Sequence, residues 1–170
     1  MNYKLIHFMI LQYFKKKENK VQIIATNQYK KILFESSIFL KDYNFFKVKD
    51  YKTSFEIVSI FLIMFIRINL SDFDRKKYLK VNEKLVSLFI SDLDESLRVK
   101  GIGDMSIGKY VKSYVKKFYF RLSKFPDDNN LYKNESFIQY LKITELIKNN
   151  DHVNVSRIFN DKFEYFKMNI

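Results

Sequence analysis

The run Gly103-Asp-Met-Ser-Ile-Gly108-Lys109 meets most of a G-x-x-x-x-G-K pattern, in which the amides of a glycine-rich loop cradle phosphates and the lysine reaches toward them. That chemistry also needs Ser or Thr after the lysine to hold magnesium, and a strand before the loop. Here Tyr110 follows, and a long amphipathic pattern precedes. The run is therefore expected to be a turn between two helices, and its residual capacity is for a phosphate of RNA or lipid held by Lys109 and the first amides of the following helix. A second group is acidic: Asp92, Asp94, Glu95 and Asp104. Asp92 and Glu95, three apart, would share a helix face, which is the spacing for paired carboxylates or a hard cation. Their neighbours Arg98, Lys100 and Lys109 make solvated ion pairing or a docking surface the expected use. His7 and His152 stand at opposite ends of the chain, and there is neither a cysteine nor a G-x-S-x-G element for either to activate. No catalytic set is expected, and neither a metal nor a cofactor.

The elements that must position these residues follow from periodicity. With three glycines and one proline in 170 residues, long helices joined by short polar loops are expected, and strand alternation is nowhere sustained. Helices are predicted near Asn2–Lys16 and Val21–Phe39, the second carrying Ile24, Gln28, Ile32 and Glu35 at four-residue steps. A loop from Tyr43 to Lys52 leads to a central helix, Thr53–Leu70, which is apolar nearly all round and so expected to be buried. The next helix, Phe73–Arg98, has Val81, Leu85, Leu88, Phe89, Leu93 and Leu97 on one face. Gly101 to Gly103 end it, and a helix starting at Asp104 or Ser106, either of which can cap it, runs to Phe125. Its apolar face holds Ile107, Val111, Tyr114, Val115, Phe118, Leu122 and Phe125, and Lys109, Lys112 and Lys116 form a stripe on another. The aromatic set Tyr114, Phe118, Tyr119, Phe120 and Phe125 is expected mainly in the core, with Tyr110 and Phe120 off the main apolar face and available as partner anchors if exposed. Helices near Leu131–Lys148 and Val153–Phe166 complete one all-α domain, residues 1–170, a bundle of six or seven helices.

Composition limits the function classes. Nearly half of the residues are hydrophobic and 18% aromatic, so the chain should fold. A net charge of +12 ordinarily points to nucleic acid or an anionic membrane surface. Lys outnumbers Arg 26 to 5, and Asn appears 14 times, a profile that an AT-biased genome produces by itself. The scarcity of Arg, the better bidentate reader of phosphates and bases, weakens the nucleic-acid reading. The apolar run Leu5–Phe14, followed by Lys15, Lys16 and Lys17, is too short to span a bilayer; residues 1–20 are a possible basic amphipathic helix at a membrane surface. Ile57–Ile66 is about half the roughly 20 residues a spanning helix needs.

The stretch Ser91–Leu122, SDLDESLRVKGIGDMSIGKYVKSYVKKFYFRL, resembles the ubiquinol-cytochrome c chaperone family. The family pattern is D-x-D-x-x-L-R-x-x-G-[VI]-G-D-x-[SA]-[VI]-G-K-x-[VI]-K followed by F-Y-x-R. Asp92, Asp94, Leu97, Arg98, Gly101 to Asp104, Ser106 to Lys109, Val111, Lys112, Phe118, Tyr119 and Arg121 match it. All three glycines of the chain fall inside, as if the backbone there needs them. A weaker likeness runs from Tyr29 through Val48-Lys49-Asp50 to Phe55-Glu56-Ile57-Val58, so the family-like region is 29–122. Thr53-Ser54 stand where the family has Gly-Arg, Phe61 where it has His, and Phe120 where it has Gly.

The resemblance implies a helical, non-enzymatic assembly chaperone that binds newly made cytochrome b during biogenesis of ubiquinol-cytochrome c reductase. Its implied partners are cytochrome b or its nascent chain, with the ribosome, a small partner subunit and the membrane surface as further contacts. It implies the cytoplasmic side of the inner membrane in a bacterium, or the mitochondrial matrix in a eukaryote. The residues expected to dock the partner are Arg98, Gly101, Gly103, Asp104, Lys109, Tyr110, Lys112 and Lys116. The rival readings are a basic helical RNA- or ribosome-binding protein using the lysine stripe, and a peripheral membrane-surface protein anchored by Leu5–Phe14.

Overall fold

Few residues in this sequence oblige a helix to stop, and the helices run accordingly long. The computed structural model describes residues 3–71, 74–128, 130–148 and 150–169, with the side chains of 3–19 and of residue 75 outside that description. Six helices follow one another: α1 (Tyr3–Asp42), α2 (Tyr51–Ser71), α3 (Arg75–Val99), α4 (Asp104–Lys124), α5 (Glu135–Thr144) and α6 (His152–Asn169). They form an all-α bundle, as the periodicity predicted. Two boundaries differ. The break expected between Lys16 and Val21 does not form, because Lys17-Glu-Asn-Lys20 contains neither Gly nor Pro and α1 passes straight through it. The helix predicted over Leu131–Lys148 is shorter at both ends. Asn134 caps it by accepting from the Phe137 amide, and Glu145, at φ 57°, ends it in the left-handed region. The chain then pairs with the loop after α1 through a single antiparallel bridge, Phe46 to Ile147, flanked by Lys47 N–H to Leu146 O and Lys148 N–H to Phe45 O. Asn2 and Phe73, the predicted starts of two helices, lie outside the described residues.

Helix α2 is the centre of the bundle and contacts α1, α3, α4 and α6. By length and composition it could cross a membrane, but 72% of its apolar window is buried against the other helices, which marks a core helix. Phe61 packs on Phe39, Phe159 and Phe166, joining α1, α2 and α6. Asp50 starts the helix by accepting from the Thr53 amide at 2.8 Å, and that bond holds its carboxyl below the usual range.

Polar ties fix the register of the helices around α2. Glu56, fully buried, receives Arg121 of α4 through two bonds of 3.0 Å and Lys117 at 2.6 Å; Arg121 also donates to the Ile143 carbonyl of α5. Gln28, Asn69 and Asn82 form a buried amide chain across α1, α2 and α3, with Gln28 and Asn69 exchanging bonds of 3.0 Å and Asn69 donating to Asn82 at 2.7 Å. Tyr29 of α1 donates to Asp92 of α3 at 2.9 Å, and burial, with that carboxylate second, pushes its hydroxyl well above the ordinary phenol range. Buried Glu35 of α1 accepts from Lys162 and Tyr165 of α6.

Removing one member of a buried ion pair leaves the other uncompensated, so Arg121→Met should cost about 3–5 kcal/mol of stability. Replacing both partners, Glu56→Leu with Arg121→Met, should recover much of that loss because Lys117 is partly exposed and can turn to water. Urea titration of the three chains measures it; a double variant no more stable than the single one contradicts the account. Asn69→Ala should cost about 2–4 kcal/mol in the same assay, since it orphans amide groups of both Gln28 and Asn82.

Candidate functional site

Helix α3 stops at the glycine turn for a local reason. Gly101 adopts φ +85°, its N–H bonds to Arg98 O at 2.8 Å, and the Ile102 N–H reaches back to Leu97 O at 3.2 Å. These are the two bonds of a Schellman cap, and only a residue tolerant of left-handed backbone closes it cheaply. Helix α4 then starts from Gly103, not from the side chain of Asp104 or Ser106 as predicted. The Gly103 carbonyl accepts from the Ser106 and Ile107 amides, and no side chain caps the helix. Asp104 is drawn away: Arg98, already bonded to Asp94 at 2.6 Å, also pairs with Asp104. Arg98 thus clamps the end of α3 to the start of α4, and those carboxylates hold its guanidinium above its ordinary range. From beneath, Tyr51 supports the turn, bonded to Ser96 at 2.9 Å, edge-on to Tyr114 and covered by the Lys100 ammonium 4.0 Å from its ring.

The acidic group divides. Asp92 turns inward to Tyr29, Asp94 and Asp104 turn to Arg98, and Glu95 is exposed, so Asp92 and Glu95 do not act as a pair. His152 is held by the Asn150 carbonyl at 2.9 Å; the side chain of His7 lies outside the described residues.

Helix α4 is two-faced. Ile107, Val111, Tyr114, Val115, Phe118 and Leu122 face the bundle as predicted. The opposite face presents Met105, Gly108, Lys109, Lys112, Lys116, Tyr119, Phe120 and Ser123, all exposed, and their spacing of three and four residues puts them on one stripe. Among the described residues Lys109, Lys112 and Lys116 form no ion pair. Tyr119 is a correction to the predicted aromatic core: it is about half exposed, because the core face of α4 is already filled by Phe118 and Leu122 on the neighbouring rows, while Phe120, also about half exposed, lies off the main apolar face as predicted. Tyr110 is exposed too, on the flank of α4 that carries Lys117 rather than on the stripe. Arg121 and Lys117, by contrast, leave the basic surface for Glu56.

All eight residues expected to dock a partner therefore lie at the surface, at the end of α3, on the turn or on α4. Sequence reasoning missed Glu56. Its signal was visible, since it is the sole acid between Tyr51 and Ser71, and the family-like pattern ends on the arginine that meets it. The glycines also divide. Only Gly101 is required by its backbone; a Cβ at Gly103 or Gly108 would meet nothing within 4 Å, so the expectation that the fold needs all three is corrected to one.

Comparison with known proteins agrees with this architecture. A crystal structure of the Cbp3 homolog from Brucella abortus superposes with a TM-score of 0.69 at 20% identity, covering 95% of this chain and 90% of that one, which shows a shared fold. No curated protein gives a significant match. Residues 47–127, from the loop before α2 to just past α4, match the model of the Ubiquinol-cytochrome C chaperone family, and that segment holds Glu56, the glycine turn and Arg121.

Proposed function

We propose that this protein is a non-enzymatic assembly chaperone that holds newly made cytochrome b during biogenesis of ubiquinol-cytochrome c reductase, at the cytoplasmic side of the inner membrane. The family match supports the chaperone role and a client in that pathway. The observation that carries a docking role for the turn is Gly108. Glycine inside a helix costs roughly 0.5–1 kcal/mol relative to alanine, yet here the backbone is helical and space for a side chain is open. The fold gains nothing from it. A bare helix surface there lets another chain approach closely, beside the exposed Met105, Lys109 and Lys112 on the same face. Arg98, Gly101, Gly103 and Asp104 hold that platform rigid, which lowers the entropy lost on binding.

The glycines separate structure from recognition. Gly101→Ala should lower stability by about 1 kcal/mol, because its φ is left-handed. Gly108→Ala should raise stability by about 0.5–1 kcal/mol while weakening capture of nascent cytochrome b from a translating lysate. A Gly108→Ala protein that is more stable and captures the client as well as the parent removes Gly108 from the interface. Deletion of the protein should lower assembled reductase; normal reductase levels, with no cytochrome b recovered on the tagged chain, would sink the chaperone reading itself.

A further inference from the structure

The outer face of α4 beyond its first turns is not explained by a protein client alone. Residues 105–124 contain no acid. The two cations of this helix that the fold uses, Lys117 and Arg121, are taken by Glu56. Those that remain, Lys109, Lys112, Lys116 and Lys124, are exposed, and the first three are without ion pairs among the described residues. Around them the helix exposes Tyr119 and Phe120, each about half open to water, and a fully exposed Met105. Lys124 stands 5.8 Å from the Phe120 ring, so charge and apolar surface are interleaved.

From Met105 to Phe120 the stripe extends about 22 Å at 1.5 Å per residue. Arginine is missing from it, whereas tyrosine and phenylalanine beside lysine suit a surface whose outer layer is anionic and whose next layer is apolar. We infer that this face of α4 docks on an anionic lipid bilayer surface, with Lys109, Lys112 and Lys116 against the headgroups and Tyr119 and Phe120 entering the interface. RNA offers the same negative charge and bases that could stack on Tyr119 and Phe120, but no apolar layer for the fully exposed Met105, and the Arg that reads phosphate best is missing from the stripe. This inference goes beyond the chaperone reading and does not rest on it.

The experiment uses the full chain and vesicles of phosphatidylcholine alone or mixed equally with phosphatidylglycerol. Co-sedimentation should occur with the mixed vesicles, fall steeply as salt rises, and be weak with phosphatidylcholine. Each lysine near such a surface contributes roughly fivefold to partitioning, so Lys112→Glu with Lys116→Glu should reduce it by tenfold or more. Lys30→Glu with Lys80→Glu, exposed lysines on other helices, changes net charge equally and should reduce it far less. An equal loss in the two double variants overturns the assignment to α4, because net charge alone would then explain binding. The chain has no tryptophan, so Phe120→Trp supplies a single reporter. Its emission should shift to the blue on mixed vesicles; unchanged emission overturns insertion at this face. A short single-stranded RNA that binds in a Lys112- and Lys116-dependent way, where vesicles do not, overturns it in favour of RNA. Cytochrome b capture by Lys112→Glu/Lys116→Glu is read in parallel: capture that persists while vesicle binding is lost separates this inference from the chaperone proposal.

Discussion

A carboxylate with no exposure to water, Glu56, stands in the most apolar helix of the chain, and much of the arrangement around α2 follows from the need to neutralise it. Leaving such a charge unpaired would cost far more than a domain of this size can offset. The planar guanidinium of Arg121 meets it side-on through Nε and Nη2, Lys117 adds a third contact, and the same Nη2 also donates to the Ile143 carbonyl near the end of α5. Ion pairing of this kind is directional. A helix packed only by Phe and Ile can rotate or slide by a fraction of a turn at small cost, but a bidentate pair admits one orientation. Once α4 is oriented by Arg121, its opposite face is oriented as well: Lys109, Lys112, Lys116, Tyr119 and Phe120 point outward because Arg121 points inward. The interior charge thereby decides what the exterior shows.

The same logic applies at the turn. Asp92, Asp94 and Asp104 look alike in sequence, yet one ties α1 to α3 through Tyr29 and two share Arg98. Between α3 and α4 only four residues remain, and within them the direction of the chain is set by one left-handed glycine and one guanidinium. The resemblance to a phosphate loop is a coincidence of spacing. Of its two glycines, Gly103 opens α4 through its carbonyl and Gly108 sits in helical backbone, and the one glycine the fold requires, Gly101, lies outside the motif.

Helix existence, the burial of α2 and the two faces of α4 were legible because each rests on periodicity, which is a local property of the chain. The glycine cap at Gly101 was legible for the same reason. Boundaries such as the continuous α1 and the shortened α5 were less so: the first depends on the absence of a stop signal, the second on a bridge to residues about a hundred positions away. Tyr119 was misread because aromatic character pulls toward a core reading, whereas Phe120 was legible from its place off the apolar face. Glu56 was missed because a lone acid in an apolar run reads as a boundary until its partner in another helix is known. Lysine content alone could not separate mutational drift from use. The structure does so residue by residue, giving Lys117 and Lys162 to buried carboxylates and leaving Lys109, Lys112 and Lys116 to the surface.

The contact between Glu35 of α1 and Lys162 of α6 spans 127 positions, and Tyr165 reaches the same carboxylate across 130. Synthesis is vectorial, so α1 leaves the ribosome long before its counter-ion exists. Until α6 has been made, the stripe of α1 carrying Ile32 and Phe39 includes a carboxylate whose neutralising lysine has yet to be translated. This tie between α1 and α6 can therefore close only after α1, α2 and α3, which pack on one another, have all been made.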